Sequence, residues 1–239
     1  MVEPIETMWT TLPTTGGTMD AHLTVPPTGR GPGLLLLQEI FGVNAHMRAV
    51  AAQYALAGFV VMAPDLFWRH APRIELGYGD ADRQHGMTLA RGLKPELTMM
   101  DLRASVEALR GLPQCQGQRV GALGYCMGGR MAYMTAALAE IDAAVAYYGG
   151  GIHDQLHLAS GIGCPIQFHY AGADDHIPPE AVERVRQAFA GRGPGQADVH
   201  VYPGTAHGFN CWARGSWHLG AALQAQARTL AFLGRHLVG

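Results

Sequence analysis

The stretch at 121–129, Gly-Ala-Leu-Gly-Tyr-Cys-Met-Gly-Gly, constrains this chain more than any other. It sets a cysteine inside Gly-x-Cys-x-Gly, just after a short apolar run and just before a helical pattern. Where a strand turns sharply into a helix there is no room for side chains beside the turn, so glycines flank the residue that is presented. The usual residue in such a nucleophile elbow is serine. A cysteine changes the chemistry, because a thiolate attacks activated acyl groups readily and leaves as a thioester. The plain alternative is an inert core cysteine; the paired glycines and the strand–helix context favour the nucleophile.

The rest of the chain supplies a frame for such an elbow. Gly33–Leu37 is a continuous apolar run, predicted to be a buried parallel strand, and 59–63 is a second, closed by Pro64-Asp65. Helical spacing over 43–57 stops at Gly58, and an irregular segment covers 66–79. Helices are predicted near 82–91 and 96–110, a strand at 119–123 before the elbow and a helix at 128–139 after it. Strands at 143–147, 165–170 and 199–202 and helices at 179–190 and 219–237 complete the pattern. The Gly-, Pro- and Thr-rich region 13–33, alternating around 19–25, reads as early antiparallel strands joined by turns. The expectation is a single α/β domain over 1–239, a mainly parallel central sheet with helices on both faces. In such sheets the chemistry sits at the carboxyl ends of strands, where the motifs of this chain fall.

Composition removes several function classes. A formal net charge of −2 gives no basis for nucleic acid or an anionic membrane as partner. No apolar run approaches the roughly 20 residues of a membrane helix, and 1–11 lacks an apolar signal core, so a reduced cytoplasmic setting is expected. The cysteines at 115, 126, 164 and 211 form no Cys-x-x-Cys pair and match no zinc module. His153 and His157 stand four apart, as do His207 and Cys211, but no third ligand follows at regular spacing. The dinucleotide fingerprint Gly-x-Gly-x-x-Gly is absent around the elbow. Neither a metal nor a cofactor is expected.

Three further segments complete a catalytic pattern. With 12 histidines in the chain, any one is weak evidence. His207, however, lies among small residues directly after the last predicted strand, where an imidazole can take a thiol proton and later activate water. Asp174 and Asp175 follow the strand ending at Tyr170, and a carboxylate there can orient His207. The order nucleophile, acid, histidine is that of an α/β-hydrolase triad. The loop after Gly33–Leu37 carries Glu39 and normally supplies one oxyanion donor, so the backbone N–H groups of Ile40 and Met127 form the expected oxyanion hole. A carboxylate such as Glu39 close to Cys126 needs a partner. Phe41 and Tyr148 are candidates for the pocket lining.

The chain resembles the dienelactone hydrolase family. The matching stretches are Gln-Glu-Ile-Phe-Gly-Val-Asn at 38–44, Ala-Pro-Asp-Leu-Phe at 63–67, Gly-Tyr-Cys-Met-Gly-Gly at 124–129, Ala-Tyr-Tyr-Gly at 146–149, Gly-Ala-Asp-Asp-His-Ile-Pro-Pro at 172–179 and Ala-His-Gly-Phe at 206–209. The resemblance implies an α/β-hydrolase fold, a Cys–His–Asp triad, no cofactor, and a cytoplasmic monomer acting on a small ester or lactone. It implies that Glu39 partners the resting thiol, and it favours Asp175 over Asp174, since Gly172 stands three before it and Pro179 four after it. It points to carboxymethylenebutenolidase chemistry, the opening of an enol-lactone to maleylacetate in aromatic catabolism. The two arginines that grip the substrate carboxylate in the type enzyme align differently: the first falls at or beside His85, with Arg83 two residues earlier, and the second on Cys211, with Arg214 near but displaced. Gly208 stands where the type enzyme has serine. A general carboxylesterase, or a non-catalytic ligand-binding protein of the same fold, are the alternative readings.

Overall fold

Four of the central strands have hardly a residue in contact with solvent. In the computed structural model, which describes residues 4–193 and 195–238, these are β3 (Gly33–Leu37), β4 (Val60–Pro64), β5 (Val120–Tyr125) and β6 (Ala143–Tyr147), each buried along its whole length. Side chains alternate between the faces of a strand, so Leu34 and Leu36 on one face and Leu35 and Leu37 on the other can all be fully buried only if both faces are covered. The cover comes from α1 (Ala45–Leu56), α2 (Asp80–Gly92), α3 (Pro95–Gly111), α4 (Met127–Leu138), α5 (Pro179–Ala188) and α6 (Leu219–Leu233).

The sheet has eight strands in the order β1-β2-β4-β3-β5-β6-β7-β8, where β1 is Glu6–Thr14, β2 Gly17–Val25, β7 Ile166–Ala171 and β8 Ala197–Tyr202. The first two strands pair antiparallel with each other, and β2 runs antiparallel to β4; every later pairing is parallel. The chain leaves β3 for β4 on one side and later enters β5 on the other. The crevice at the carboxyl ends of β3 and β5 is therefore a topological switch point, the position where open α/β sheets bind ligands. β1 extends into the N-terminal region that carries no strand pattern in the sequence. It is an edge strand in which only Leu12 is buried, so it lacks the alternation that betrays a strand. The predicted final helix ends early: after Leu233 the backbone widens into a π-turn at Gly234–Val238.

The elbow is set by backbone approaching backbone. A Cβ on Gly124 would run into the Gly128 carbonyl, one on Gly128 into the Leu37 carbonyl, and one on Gly129 into the Tyr147 carbonyl. Cys126 itself takes φ 56 and ψ −116, a region that costs a non-glycine residue about 1–3 kcal/mol. Its N–H donates to the Tyr147 carbonyl at 3.0 Å, which ties the turn to the end of β6. Gly128→Ala is thus expected to destabilise the protein by about 1–3 kcal/mol or more, seen as a clear drop in the urea midpoint. Gly163→Ala, where an added Cβ meets nothing within 4 Å, serves as the control and should leave that midpoint in place.

Candidate active site

Four loops at the carboxyl ends of strands converge on Cys126. The elbow follows β5, Glu39 and Ile40 follow β3, Asp174 follows β7, and His207 follows β8. Asn44 steadies the β3 loop: its side-chain oxygen accepts from Met47 N at 3.1 Å as the cap of α1, while its amide donates to the Leu76 carbonyl at 3.0 Å and to the Tyr78 hydroxyl at 3.2 Å. The irregular segment between β4 and α2 is thereby pinned to the loop that carries Glu39.

His207 Nδ1 donates to Asp174 Oδ2 at 2.8 Å, and the Asp174 carboxylate is fully buried. Its other oxygen accepts the His176 backbone N–H at 2.9 Å. The acid that meets His207 is therefore Asp174, not the expected Asp175, which lies one residue further along and is exposed. Neighbouring residues in this turn point opposite ways, and it is the earlier one that faces inward. With Nδ1 engaged by Asp174, the opposite ring nitrogen is left for the Cys126 sulfur, with which the imidazole interacts. Burial alone would lower the pKa of His207, but Cys126 and then Asp174 outweigh it and raise the group to about 10. For Asp174, burial works upward and the His207 contact downward, and the net direction is down. The raised imidazole and the lowered carboxylate together place a proton on His207, between Asp174 and the Cys126 sulfur.

Two residues with unclaimed backbone N–H groups border the same space. Met127 is the first residue of α4, so its N–H has no intrahelical acceptor, and the Ile40 N–H has no partner among the described residues. Both residues line a cavity of about 240 Å³ together with Cys126 and His207. Phe41 and Arg83 line it too, with Arg83, Met87 and Ala90 coming from one face of α2. His85 is exposed on α2 and stays outside the cavity. Tyr148 and Cys211 are buried behind the cavity rather than in its wall. The Tyr148 ring backs the His207 ring at 5.0 Å, and burial followed by the charge of Glu39 pushes the Cys211 thiol up to about 11.

The structure also brings basic side chains together, among them Arg130 and His176, which sequence spacing did not single out. Arg214, Arg130 and His176 line the cavity beside Arg83. Arg214 Nη1 donates to Glu39 Oε1 at 3.2 Å. Glu39 is 1% exposed; burial raises its pKa, with Arg214 and then His207 pulling the other way. The observed partner of Glu39 is thus Arg214, where the resemblance implied the thiol. Arg214 reaches the cavity, which Cys211 does not line, as 206–217 winds through successive tight turns, Phe209 to Ala206, Cys211 to Gly208 and Arg214 to Cys211. The guanidinium then passes over Gly208 (φ +80), where an added Cβ would strike it. His46 lies on the far side of Glu39, its ring 4.1 Å from that of Trp212, and burial together with Arg214 lowers its pKa to about 4.

Known proteins resemble this chain over most of its length. A family model described as the dienelactone hydrolase family matches residues 19–237. The carboxymethylenebutenolidase of Pseudomonas sp. (strain P51) is 38% identical over 221 residues, covering 92% of this chain and 91% of that protein. Carboxymethylenebutenolidase 1 of Cupriavidus pinatubonensis is 34% identical over 219 residues, covering 91% and 92%. Among solved structures, a putative dienelactone hydrolase from Klebsiella pneumoniae superposes with a TM-score of 0.86 at 27% identity, covering 98% of this chain and 100% of that one.

The geometry separates the two aspartates experimentally. Asp174→Asn should lower kcat by about 10²–10⁴, the scale seen when the orienting carboxylate of a triad is lost, whereas Asp175→Asn should stay within a few-fold of wild type. Nuclear magnetic resonance of the imidazole nitrogens tests the Cys126 contact. In wild type His207 should stay protonated through neutral pH, and Cys126→Ala should move its titration to lower pH; an unchanged midpoint would contradict the pairing.

Proposed function

The chain belongs to the dienelactone hydrolase family and is a hydrolase of lactones or esters, and from that premise we propose that Cys126 is its nucleophile and that its substrates are small activated lactones or esters bearing a carboxylate. The observation that carries the reading is the meeting of the elbow cysteine with the His207–Asp174 pair beside two unclaimed backbone N–H groups. Cys126, its proton held by His207, attacks the carbonyl carbon. Charge developing on the carbonyl oxygen is met by the N–H groups of Ile40 and Met127, and one such donor is typically worth 10²–10³ in rate. The enolate or alkoxide leaves, taking a proton from His207, and a thioester remains. Neutral His207, oriented by Asp174, then activates water to release the acid.

An enol-lactone suits this site, because a stabilised enolate leaves more easily than a plain alkoxide. The acid requirement rests on Arg83 and Arg214 in the same cavity. A substrate carboxylate drawn to Arg214 competes with Glu39 for it. A general carboxylesterase remains a second reading, supported by the apolar walls from Ile40, Phe41, Met87, Ala90 and Met127.

A panel of cis-dienelactone and neutral aryl acetates separates the two. Acid quench and mass spectrometry should find the acyl group on the peptide holding Cys126, and Cys126→Ala should abolish turnover of both substrates. Arg214→Met should reduce kcat/KM for the acid lactone by about ten- to a hundred-fold, the scale of one charge-assisted hydrogen bond, and should affect the neutral esters far less. Equal losses on both would favour the general esterase, and turnover surviving in Cys126→Ala would remove the nucleophile.

A further inference from the structure

Next to the Glu39–Arg214 pair, outside the lining of the cavity, is a buried polar spot. Glu39, His46 and Cys211 point one donor atom each into it, with all three atoms within 4.8 Å of one another. The three residues are 1%, 7% and 0% exposed. Two of them carry atoms left over by the fold: Glu39 Oε2 and both ring nitrogens of His46 are buried without a hydrogen-bond partner. A buried polar atom with no partner costs about 1–3 kcal/mol, so such atoms on two neighbouring side chains need an explanation.

We propose that Glu39, His46 and Cys211 form a binding site for a zinc-class divalent cation. A carboxylate oxygen, an imidazole nitrogen and a thiolate sulfur are the donor types that borderline-soft divalent ions select, and three protein ligands leave one position for water. Tetrahedral zinc holds its ligand atoms roughly 3.3–3.8 Å apart, so donors already within 4.8 Å need side-chain shifts of only about an ångström. Cys211 releases its proton to solvent on binding, so thiolate and carboxylate set two negative charges against the dication and the Arg214 guanidinium that Glu39 already meets. Glu39 serves both neighbours, keeping Oε1 on Arg214 and offering Oε2 to the ion. The His46 ring is oriented by packing, edge-on to Tyr78 with centroids 6.2 Å apart and tilted against Trp212 at 4.1 Å. The Tyr78 hydroxyl adds a polar contact to the Cys211 sulfur. The four cysteines of the chain stand at no metal-ligand spacing, because these ligands come from three separate loops and helices.

Cobalt(II) chloride titrated into full-length Cys126→Ser protein tests the site without the nucleophile as a competing ligand. One equivalent should produce a thiolate-to-cobalt charge-transfer band, and zinc chloride should abolish it by displacement. Adding Cys211→Ser should remove the band, and adding His46→Gln should weaken cobalt binding at least tenfold, with metal-free thermal melts checking that each variant folds. X-ray absorption of the zinc-loaded Cys126→Ser protein reads the donor set with the three ligands intact, and one sulfur among nitrogen and oxygen neighbours is expected. A missing band, a band that survives Cys211→Ser, or a zinc shell without sulfur would overturn the proposal.

Discussion

Three carbonyl groups crowd the turn at Cys126 so closely that no side chain fits beside it, and the rest of the site follows from that crowding. Gly124, Gly128 and Gly129 let the first turn of α4 sit against the ends of β3 and β6. Contact between α4 and the Leu37 carbonyl brings the β3 loop, with Ile40, to the same crevice as the Met127 N–H. Contact with the Tyr147 carbonyl brings the β6 end, with Tyr148, behind His207. The strain at Cys126 is sustained because strands on both sides are buried along their full length. A loose surface turn could not hold a residue at φ 56.

Within that frame the electrostatics are arranged as two linked pairs. Asp174 with His207 is one, Glu39 with Arg214 the other, and each acid is nearly excluded from water. Isolated, either carboxylate would be a heavy burden at such depth. Paired, they hold His207 beside the sulfur and Arg214 at the cavity wall. The cavity is then positive toward its opening, with Arg83 and Arg130 adding to Arg214, although the chain as a whole carries −2. Local field rather than net charge sets what the site attracts.

Much of this was legible from the residues in order. The apolar run Gly33–Leu37 fitted a strand covered on both sides, and Gly-x-Cys-x-Gly between a strand and a helix admits few folds. What escaped was decided by loops. Asp174 and Asp175 have the same chemistry and adjacent positions, and only the path of the turn after β7 chooses between them. Arg214 sits three residues beyond the aligned position, but turns shorten the distance it has to span, so sequence spacing does not measure reach. His46 hides in the first turn of α1, where its place next to Glu39 depends on the approach of the 206–217 loop. The edge strand β1 carried no burial pattern because an edge has little to bury.

The passage of the Arg214 guanidinium over Gly208 ties two positions into one heritable unit. A side chain beside the histidine would have to displace the guanidinium and hold a left-handed backbone, so a lineage that acquires one is expected to draw its cation from elsewhere along the loop. A lineage that keeps the long way round is confined to glycine there. Where the anion grip originates would then drift between relatives while the grip itself persists, and a survey of such chains should find the identity of residue 208 foretelling which arginine serves.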